Sequence, residues 1–407
     1  MALSIPADVL VVPPTAKYEI HVSDVRTYKS CRRKWDWASP LRQHLEPDFT
    51  PIHFTIGRGV HYALATYYET GEHPADVFRA WMTAAIAQCE ADLGQLWESE
   101  REKVDSALLL GTGMLDNYYR WVHSLEEPDA RWKVIDTEPD FGPLPILNPS
   151  GKPSSRIYLK GRFDKILEET NTGELWLREY KTAGRVPNEK WLELDDQVTI
   201  YLWAAQQIIG RPVAGVHFRF LMKNIPEKPR RIYGGKSLSR AINSQLSTTY
   251  ELYREAIEDF AYDMTAEKVG APAAQVRTIV DASANTAIED IYKGFLAELM
   301  AEYNDTLDQL AGRGYGDFFK EYEVPKTQHE IEAAAHELWL VGLEMVRPTT
   351  PIYTAADWLK CQFCQFRTPC IVRNAGGNFE TILKHEYRER RYEDPLESQD
   401  KIGWGGA

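Results

Sequence analysis

The chain has 407 residues, enough to bury a large core and to form two or three domains' worth of structure. Its composition (43% hydrophobic, 26% charged, 12% aromatic) is that of a globular protein, and no run approaches the roughly 20 apolar residues of a membrane span. The net charge of −13 argues against coating nucleic acid through bulk positive charge, although it leaves room for a locally basic groove. The first residues lack the features of a signal peptide, so a cytoplasmic protein is expected.

The predicted elements alternate in kind along the chain. Apolar residues at helical spacing predict helices over 23–37, 56–71, 75–95, 103–123 and 192–209. Short segments of strand character are predicted over 131–141, 156–169, 174–182 and 215–223. This order predicts an α/β (α+β) fold in which a small mixed sheet is flanked by helices.

The domain boundaries follow from changes in composition. We predict an irregular lead over 1–22 and a core with a helical N-terminal part over 23–235. A large and mostly helical insertion follows over 236–349, then a cysteine-rich segment over 350–375 that closes the core, and a charged tail over 376–407.

Two carboxylates and a lysine lie on the predicted hairpin that spans 156–182. Glu179 and Lys181 are two residues apart and share one face of their strand, and the hairpin can bring Asp164 beside Glu179. Carboxylates hold Mg²⁺ or Mn²⁺, the ion activates a bound water, and a lysine offsets charge on a phosphate. The pattern alone is weak, because acidic and basic residues also occur at solvated strand edges.

Four further residues add to this pattern. Gln197 and Tyr201 lie at positions i and i+4 on one face of the predicted helix over 192–209. His61 lies in the helix that follows Gly57 and Gly59, where a lone histidine is usually a satisfied surface or core residue. Glu138 is either another acidic group at the same sheet edge or a loop charge.

The cysteines are unevenly placed, with Cys31 near the start and Cys361, Cys364 and Cys370 within ten residues near the end. In a reducing cytosol such a group indicates metal ligation sooner than disulfides. Four cysteines can hold Zn²⁺ or an iron–sulfur cluster, and their spacing does not separate the two. Cys89 fits a small buried helical residue.

Basic and aromatic residues interleave around Cys31, which suggests contact with DNA. Such residues can grip phosphates and stack on unpaired bases, and the candidates are Arg32, Arg33, Lys34 and Trp35. An amphipathic helix with its tryptophans packed inward explains the same residues equally well.

Taken in order, these motifs resemble the RecB-like branch of the PD-(D/E)XK nucleases, including the CRISPR-adaptation and helicase-associated members that carry an iron–sulfur cluster. The motifs are GRGVH at 57–61, GRFD at 161–164, EYK at 179–181, Q-x3-Y at 197–201 and the split cysteines. The resemblance spans roughly 22–222 and 350–373. The literal proline of the motif is replaced by Phe163, and Glu179 stands where the family often has aspartate.

The resemblance implies a restriction-endonuclease-like core and a role for each motif. His61, Asp164, Glu179 and the carbonyl of Tyr180 would bind Mg²⁺ or Mn²⁺, and Lys181 would be the catalytic lysine. Gln197 and Tyr201 would position the DNA backbone or the catalytic groups. Cys31, Cys361, Cys364 and Cys370 would hold a [4Fe–4S] cluster, with Zn²⁺ as the alternative.

The function expected from this resemblance is hydrolysis of DNA by metal-activated water, as an exonuclease acting on single strands or free ends. The chain has no G-x4-G-K-[ST] phosphate loop, so no helicase motor is expected in it. A helicase or recombinase could act with it in trans. One alternative is a non-cleaving DNA-binding or assembly subunit, and another is a metal–cysteine protein whose charged strand residues are incidental.

Overall fold

A computed structural model describes residues 17–48, 52–93, 98–186, 188–240 and 248–390. In chain order, the strands are β1 (Tyr18–His21), β2 (Leu45–Pro47), β3 (Trp132–Thr137), β4 (Asp140–Leu147), β5 (Pro153–Arg162), β6 (Lys165–Glu169), β7 (Leu175–Ala183), β8 (Val213–Met222), β9 (Arg231–Ile232), β10 (Ser237–Leu238), β11 (Phe319–Pro325) and β12 (Tyr387–Glu389). The helices are α1 (Val22–Ser30), α2 (Arg32–Ala38), α3 (Ile52–Thr70), α4 (Pro74–Leu93), α5 (Glu98–Val122), α6 (Glu189–Leu192), α7 (Asp196–Ile209), α8 (Tyr250–Val269), α9 (Ala273–Asp281), α10 (Thr286–Glu302), α11 (Asn304–Gln309), α12 (Gln328–Met345), α13 (Trp358–Gln362), α14 (Arg367–Asn374) and α15 (Phe379–Glu386).

The central sheet has five strands in the order β11-β8-β7-β6-β3. Strands β7 and β8 are parallel and are connected through α7, whereas the other neighbours are antiparallel. Most residues of β7 and β8 are buried, as expected for inner strands covered on both faces. The predicted α/β fold with a small mixed sheet is confirmed.

A bent two-stranded ribbon joins this sheet to a second sheet of order β1-β5-β4. One strand of the ribbon runs from β5 into β6 through Phe163 and Asp164, and the other runs from β3 into β4 through Glu138 and Pro139. At the bend the Glu138 amide donates to the Asp164 carbonyl at 3.0 Å, and the Phe163 amide donates to the Pro139 carbonyl at 3.2 Å. The bend therefore brings the Glu138 and Asp164 backbones side by side.

Helical layers cover both faces of the central sheet. A core that includes residues of α3, α4 and α5 packs against Tyr180 and Phe319, and the opposite core includes residues of α1, α7 and α12. Within the first layer, α3 approaches α4 very closely at Gly59, where an added Cβ would lie 2.7 Å from the Trp81 ring. This packing requires glycine at the end of the GRG motif.

The predicted helical insertion over 236–349 differs from the structure at its C-terminal end. Helices α8 to α11 do form a separate hydrophobic core, which includes Tyr253, Ile257 and Tyr303. Strand β11, however, is an edge strand of the central sheet, and α12 contributes Ile331 and Leu338 to the main core. No helix in the described ranges is both long and apolar enough to cross a membrane.

The N-terminal and C-terminal segments pack against each other. Strand β2 pairs with β12, and the Trp37 and Phe366 rings lie 5.5 Å apart in a small core of their own. The helix predicted over 23–37 is broken at Cys31, which is extended between α1 and α2. Most of the predicted lead and part of the predicted tail (residues 1–16 and 391–407) lie outside the described residues, but 18–21 form β1 and 379–389 form α15 and β12.

Candidate active site

Three side chains from different elements meet at the bend of the ribbon. His61 of α3 places Nδ1 3.2 Å from Oδ1 of Asp164. One ligand atom each of His61, Glu138 and Asp164 lies within 4.8 Å of the other two, and this is the only such group of His, Cys, Asp or Glu in the described part of the chain. Glu138 adopts a left-handed backbone conformation (φ 48°), which few non-glycine residues do. These three residues form the candidate metal centre.

Strand β7 brings the other two catalytic candidates to the same place. The Tyr180 amide donates to Oδ2 of Asp164 at 2.7 Å, so both oxygens of this carboxylate are fixed. Glu179 forms an ion pair with Lys181 on the same face of the strand. Glu179 and Asp164 line one small cavity together with Phe163 and Tyr201. The predicted juxtaposition of Asp164, Glu179 and Lys181 is therefore present.

Electrostatic coupling sets the protonation of the candidate metal centre. Burial disfavours the His61 imidazolium, but the charges of Asp164, Glu138 and Glu179 outweigh it and raise the His61 pKa to about 9. Burial also opposes ionisation of Asp164, yet its contact with His61 and the charge of Lys181 lower its pKa. In the absence of a cation, the site thus holds a protonated histidine against an ionised aspartate.

The remaining carboxylates are crowded. Burial and the charge of Asp164 raise the pKa of Glu138 to about 8, and the same two causes raise the pKa of Glu179. Burial opposes the Lys181 ammonium, whereas Glu179 and Asp164 favour it and raise its pKa, and the positive charge of Arg26 partly counters them. A bound divalent cation would relieve this repulsion among carboxylates.

Helix α7 positions the Q-x3-Y motif at the edge of the cavity. Asp195 caps the helix by accepting from the Gln197 amide at 3.0 Å. The Gln197 side chain lies one turn before Tyr201 and accepts from Arg26 Nη1 at 2.8 Å. The Tyr201 ring packs edge-on against Phe163, and it lies so close to Gly161 that a Cβ there would come within 3.2 Å of the ring. Gly161 of the GRFD motif therefore makes room chiefly for the Phe141 ring, at 2.6 Å from such a Cβ, and also for Tyr201.

A buried charge network lies on the opposite face of β7. Asp129 accepts from Arg178 Nη1 at 2.7 Å and lies 2.9 Å from Arg219 Nη2, and the Tyr68 hydroxyl donates to its other oxygen at 2.5 Å. Arg219 also pairs with Glu321 of β11. No local sequence pattern indicates this network, because its members come from α3, the segment after α5 and three strands.

A lysine and a tyrosine connect the catalytic strands on that face. Lys165 and Tyr180 follow Asp164 and Glu179 directly, and Lys165 Nζ donates to the Tyr180 hydroxyl at 3.0 Å. Burial and the neighbouring charge of Arg178 lower the pKa of Lys165 well below its ordinary value. This contact joins β6 to β7 behind Asp164 and Glu179.

The four predicted cluster cysteines come from the two packed termini. Cys31 separates α1 from α2, whereas the other three lie in or between α13 and α14, and all four are half-buried thiols without disulfides. Burial raises the pKa of the Cys364 thiol, and the nearby Cys31 and Cys361 raise it further. Cys31 is thus close to the C-terminal cysteines despite the long separation in sequence.

The predicted DNA-binding residues differ in accessibility. Trp35 is 1% exposed and packs edge-on against Tyr28, so it is a core residue and not a surface for bases. Arg33 is also buried and pairs with Asp36 at 3.1 Å. Arg32 donates to Glu344 at 2.6 Å. Lys34 is half-buried, and its charge reaches the Cys364 thiol.

A sequence model of the PD-(D/E)XK nuclease superfamily matches residues 19–371, which is most of the chain. The chain belongs to this superfamily. Nucleases of the superfamily use Mg²⁺ or Mn²⁺ and act on DNA, and the candidate metal centre lies within the matched region.

Individual proteins add little to this assignment. The crystal structure of SSO0001 is similar to this PD-(D/E)XK protein at 13% sequence identity, covering 88% of this chain and 87% of that one, with a TM-score of 0.31. No curated protein matches the chain.

Glu138 is the site residue that the sequence left undecided. Only the bend of the ribbon brings it beside Asp164, and a glutamate at the end of a strand carries no local signal of that bend. Its oxygen, the Asp164 carboxylate and the His61 imidazole suit a hard or borderline divalent cation. Ligand atoms of an octahedral Mg²⁺ lie about 3–4 Å apart, so the mutual spacing within 4.8 Å fits one ion after small movements.

Proposed function

We propose that this PD-(D/E)XK protein is a metal-dependent deoxyribonuclease, an exonuclease that hydrolyses phosphodiester bonds of single-stranded DNA or of DNA ends. The observation that carries the proposal is the meeting of His61, Glu138 and Asp164 beside the Glu179–Lys181 pair. A metal centre and a lysine in one cleft supply the charges that phosphodiester hydrolysis needs.

The proposed metal ligands are His61, Glu138 and Asp164, with Glu179 and the Tyr180 carbonyl as further ligands. When bound, Mg²⁺ or Mn²⁺ polarises the scissile phosphate and activates water for attack. The Tyr180 amide orients Asp164, because it holds the oxygen that does not face His61. Loss of the proton from His61 would free Nδ1 for ligation.

Lys181 is the proposed catalytic lysine. Its pKa is raised, since the carboxylates of Glu179 and Asp164 outweigh the effect of burial, so the ammonium stays charged when the site is assembled. A fixed positive charge at this position offsets negative charge that develops on the phosphate oxygens. Gln197 and Tyr201 orient the substrate at the other edge of the cavity, where Tyr201 packs on Phe163.

The preference for single strands or free ends is proposed from the resemblance to RecB-like nucleases. The same resemblance, which includes helicase-associated members, supports action with a helicase or recombinase in trans. A cytoplasmic location is proposed from the sequence composition alone. The absence of cleavage by folded, metal-loaded protein would instead favour the non-cleaving DNA-binding or assembly subunit.

We further propose that Cys31, Cys361, Cys364 and Cys370 bind a [4Fe–4S] cluster that ties the chain termini together. The four thiols come from the two packed chain termini, and Cys31 and Cys361 lie close enough to Cys364 for their charges to raise its pKa. The preference for a cluster over Zn²⁺ is proposed from the resemblance to the iron–sulfur members of the RecB-like nucleases. A visible absorption spectrum and iron and zinc analysis of anaerobically purified protein test it.

Cleavage of end-labelled DNA tests the proposed nuclease. Single-stranded and double-stranded oligonucleotides labelled at either end are incubated with Mg²⁺, Mn²⁺ or EDTA, with circular single-stranded DNA as the substrate that lacks ends. We expect metal-dependent release of short products, resistance of the circle, and loss of cleavage in Lys181→Ala. Cleavage of the circle would reveal an endonuclease, and cleavage by Lys181→Ala at the parental rate would refute the assigned site.

A further inference from the structure

Arg26 lies at the junction of α1 and α7, beside the catalytic cleft. Its Nη1 donates to Oε1 of Gln197 at 2.8 Å, and the residue is exposed. The next turn of α1 provides a contrast, because Lys29 pairs with Asp196 at 2.5 Å and with Glu337 at 2.8 Å. Within the described ranges, Arg26 forms no salt bridge with a carboxylate. Its charge is therefore not neutralised by a partner there.

Two observations place Arg26 at the edge of the candidate active site. Its positive charge acts on Lys181, the proposed catalytic lysine. Its partner Gln197 lies one helical turn before Tyr201 on α7, and Tyr201 lines one cavity with Asp164 and Glu179. Arg26, Gln197 and Tyr201 thus form a row that leads from the exposed side of α1 along α7 to the carboxylates.

The chemistry of this row fits a phosphate. A guanidinium group has five N–H donors, and the Gln197 oxygen occupies only one of them. A neutral acceptor fixes the orientation of the guanidinium without cancelling its charge. The remaining donors have the planar arrangement that binds two oxygens of a phosphate group.

We propose that Arg26 binds a backbone phosphate of the DNA adjacent to the phosphate held at Lys181, and that Gln197 holds the guanidinium in position. This inference rests on the proposed nuclease function, because it concerns the substrate of the same cleft. Arg26 lies outside the GRFD, EYK and Q-x3-Y motifs. It is therefore proposed as a substrate-binding residue in addition to those of the motifs.

The first test is the salt dependence of DNA binding. Binding of a single-stranded oligonucleotide is measured by fluorescence anisotropy, with Ca²⁺ in place of Mg²⁺ to suppress cleavage. Arg26→Ala should weaken binding about tenfold or more, from the loss of a charged hydrogen bond, and reduce the slope of log K against log salt by about 1. Arg254→Ala is the matched control, since Arg254 is an exposed helical arginine paired with Glu258. An unchanged slope would overturn the proposal.

The second test locates the phosphate. A series of oligonucleotides carries one neutral methylphosphonate each, at successive positions. The affinity of each oligonucleotide is measured for the parent protein and for Arg26→Ala. We expect one position at which the modification weakens binding to the parent but not to Arg26→Ala. Additive losses at every position would mean that Arg26 only supports Gln197, and the proposal would be wrong.

The two proposals fail in distinguishable ways. If the parent protein binds DNA but does not cleave it with Mn²⁺, the nuclease assignment fails. The anisotropy measurements on Arg26→Ala still decide whether Arg26 contacts a DNA phosphate. If the parent cleaves DNA and Arg26→Ala binds all oligonucleotides as the parent does, the contact alone is refuted.

Discussion

Replacement of Asp129 by asparagine is expected to destabilise the fold by unbalancing the charge network behind β7. The carboxylate faces Arg178 and Arg219, whose side chains are both 0% exposed. The change keeps the size of the side chain and removes one negative charge. Glu321, which is 29% exposed, then remains as the nearby carboxylate partner of Arg219.

The expected loss follows from the burial of the two arginines. Removing one partner of a buried ion pair costs about 3–5 kcal/mol of unfolding free energy, and the 23% exposure of Asp129 places this case at about the lower figure. At about 2 °C per kcal/mol for a large domain, Tm should fall by about 6 °C.

The sign of the pH dependence follows from the pKa of Asp129. Burial alone would raise this pKa, but Arg219 and Arg178 hold it well below its ordinary value. A carboxylate whose folded pKa is depressed stabilises the fold above its unfolded pKa, near 4, and loses that contribution as pH falls further. The difference between parent and Asp129→Asn should therefore be full at pH 7 and shrink below about pH 4.

Thermal and urea unfolding at several pH values measure the effect. Asp76→Asn is the control, because its ion pair with Arg79 is exposed on both sides (69% and 52%) and such pairs contribute at most about 1 kcal/mol. Equal unfolding temperatures of parent and Asp129→Asn at pH 7 would refute the assigned role of the network.

Three further outcomes are expected. Glu138→Gln should weaken binding of Mn²⁺ to the apo-protein about tenfold or more, measured by calorimetry, because it removes a charged ligand; unchanged affinity would exclude Glu138 as a ligand. Cys364→Ser should lose iron and the visible absorption and unfold at a lower temperature; a colourless variant of parental stability would leave the cluster without a structural role. Asp24 is buried, and burial raises its pKa to about 6, so ionisation costs the fold stability as pH rises from about 4 to 6. The unfolding free energy of Asp24→Asn should therefore exceed that of the parent by up to about 3 kcal/mol at pH 8 and by little at pH 4. Ser39 can still donate to the asparagine side-chain oxygen. A gain in urea unfolding that does not depend on pH would contradict this reasoning.

The catalytic hairpin was predictable because its information is local. Alternating residues and a turn define β6 and β7, so the sequence placed Asp164 near Glu179, and the Tyr180 amide indeed meets Asp164. His61 could be assigned to the site only through the family resemblance, because a histidine in a helix carries no local signal of metal binding. Glu138 could not be assigned from the sequence, because the bend that brings it to the site depends on the pairing of β3 with β6 and of β4 with β5.

Burial that the sequence does not reveal explains the main differences between expectation and structure. The sequence leaves base stacking and inward packing equally open for Trp35, because it does not show that this side of α2 packs into the core. Strand β11 was not recognised because Lys320, Glu321 and Glu323 give it a charged character. These charges are paired with residues of other elements, as Glu321 is with Arg219 of β8. Because those partners are distant in sequence, the segment alone looks like a solvated helix or loop.

The four polar residues Arg178, Glu179, Tyr180 and Lys181 illustrate the same limit at the active site. Read alone, such a run suggests a solvated strand edge, yet β7 is an inner strand between two helical layers. Because side chains alternate, Glu179 and Lys181 serve the cleft while Arg178 and Tyr180 join the buried network. A shift of one residue in register would exchange the two sets and leave unmatched charges on both faces. The buried network therefore helps to specify the one register in which Glu179 faces the metal centre.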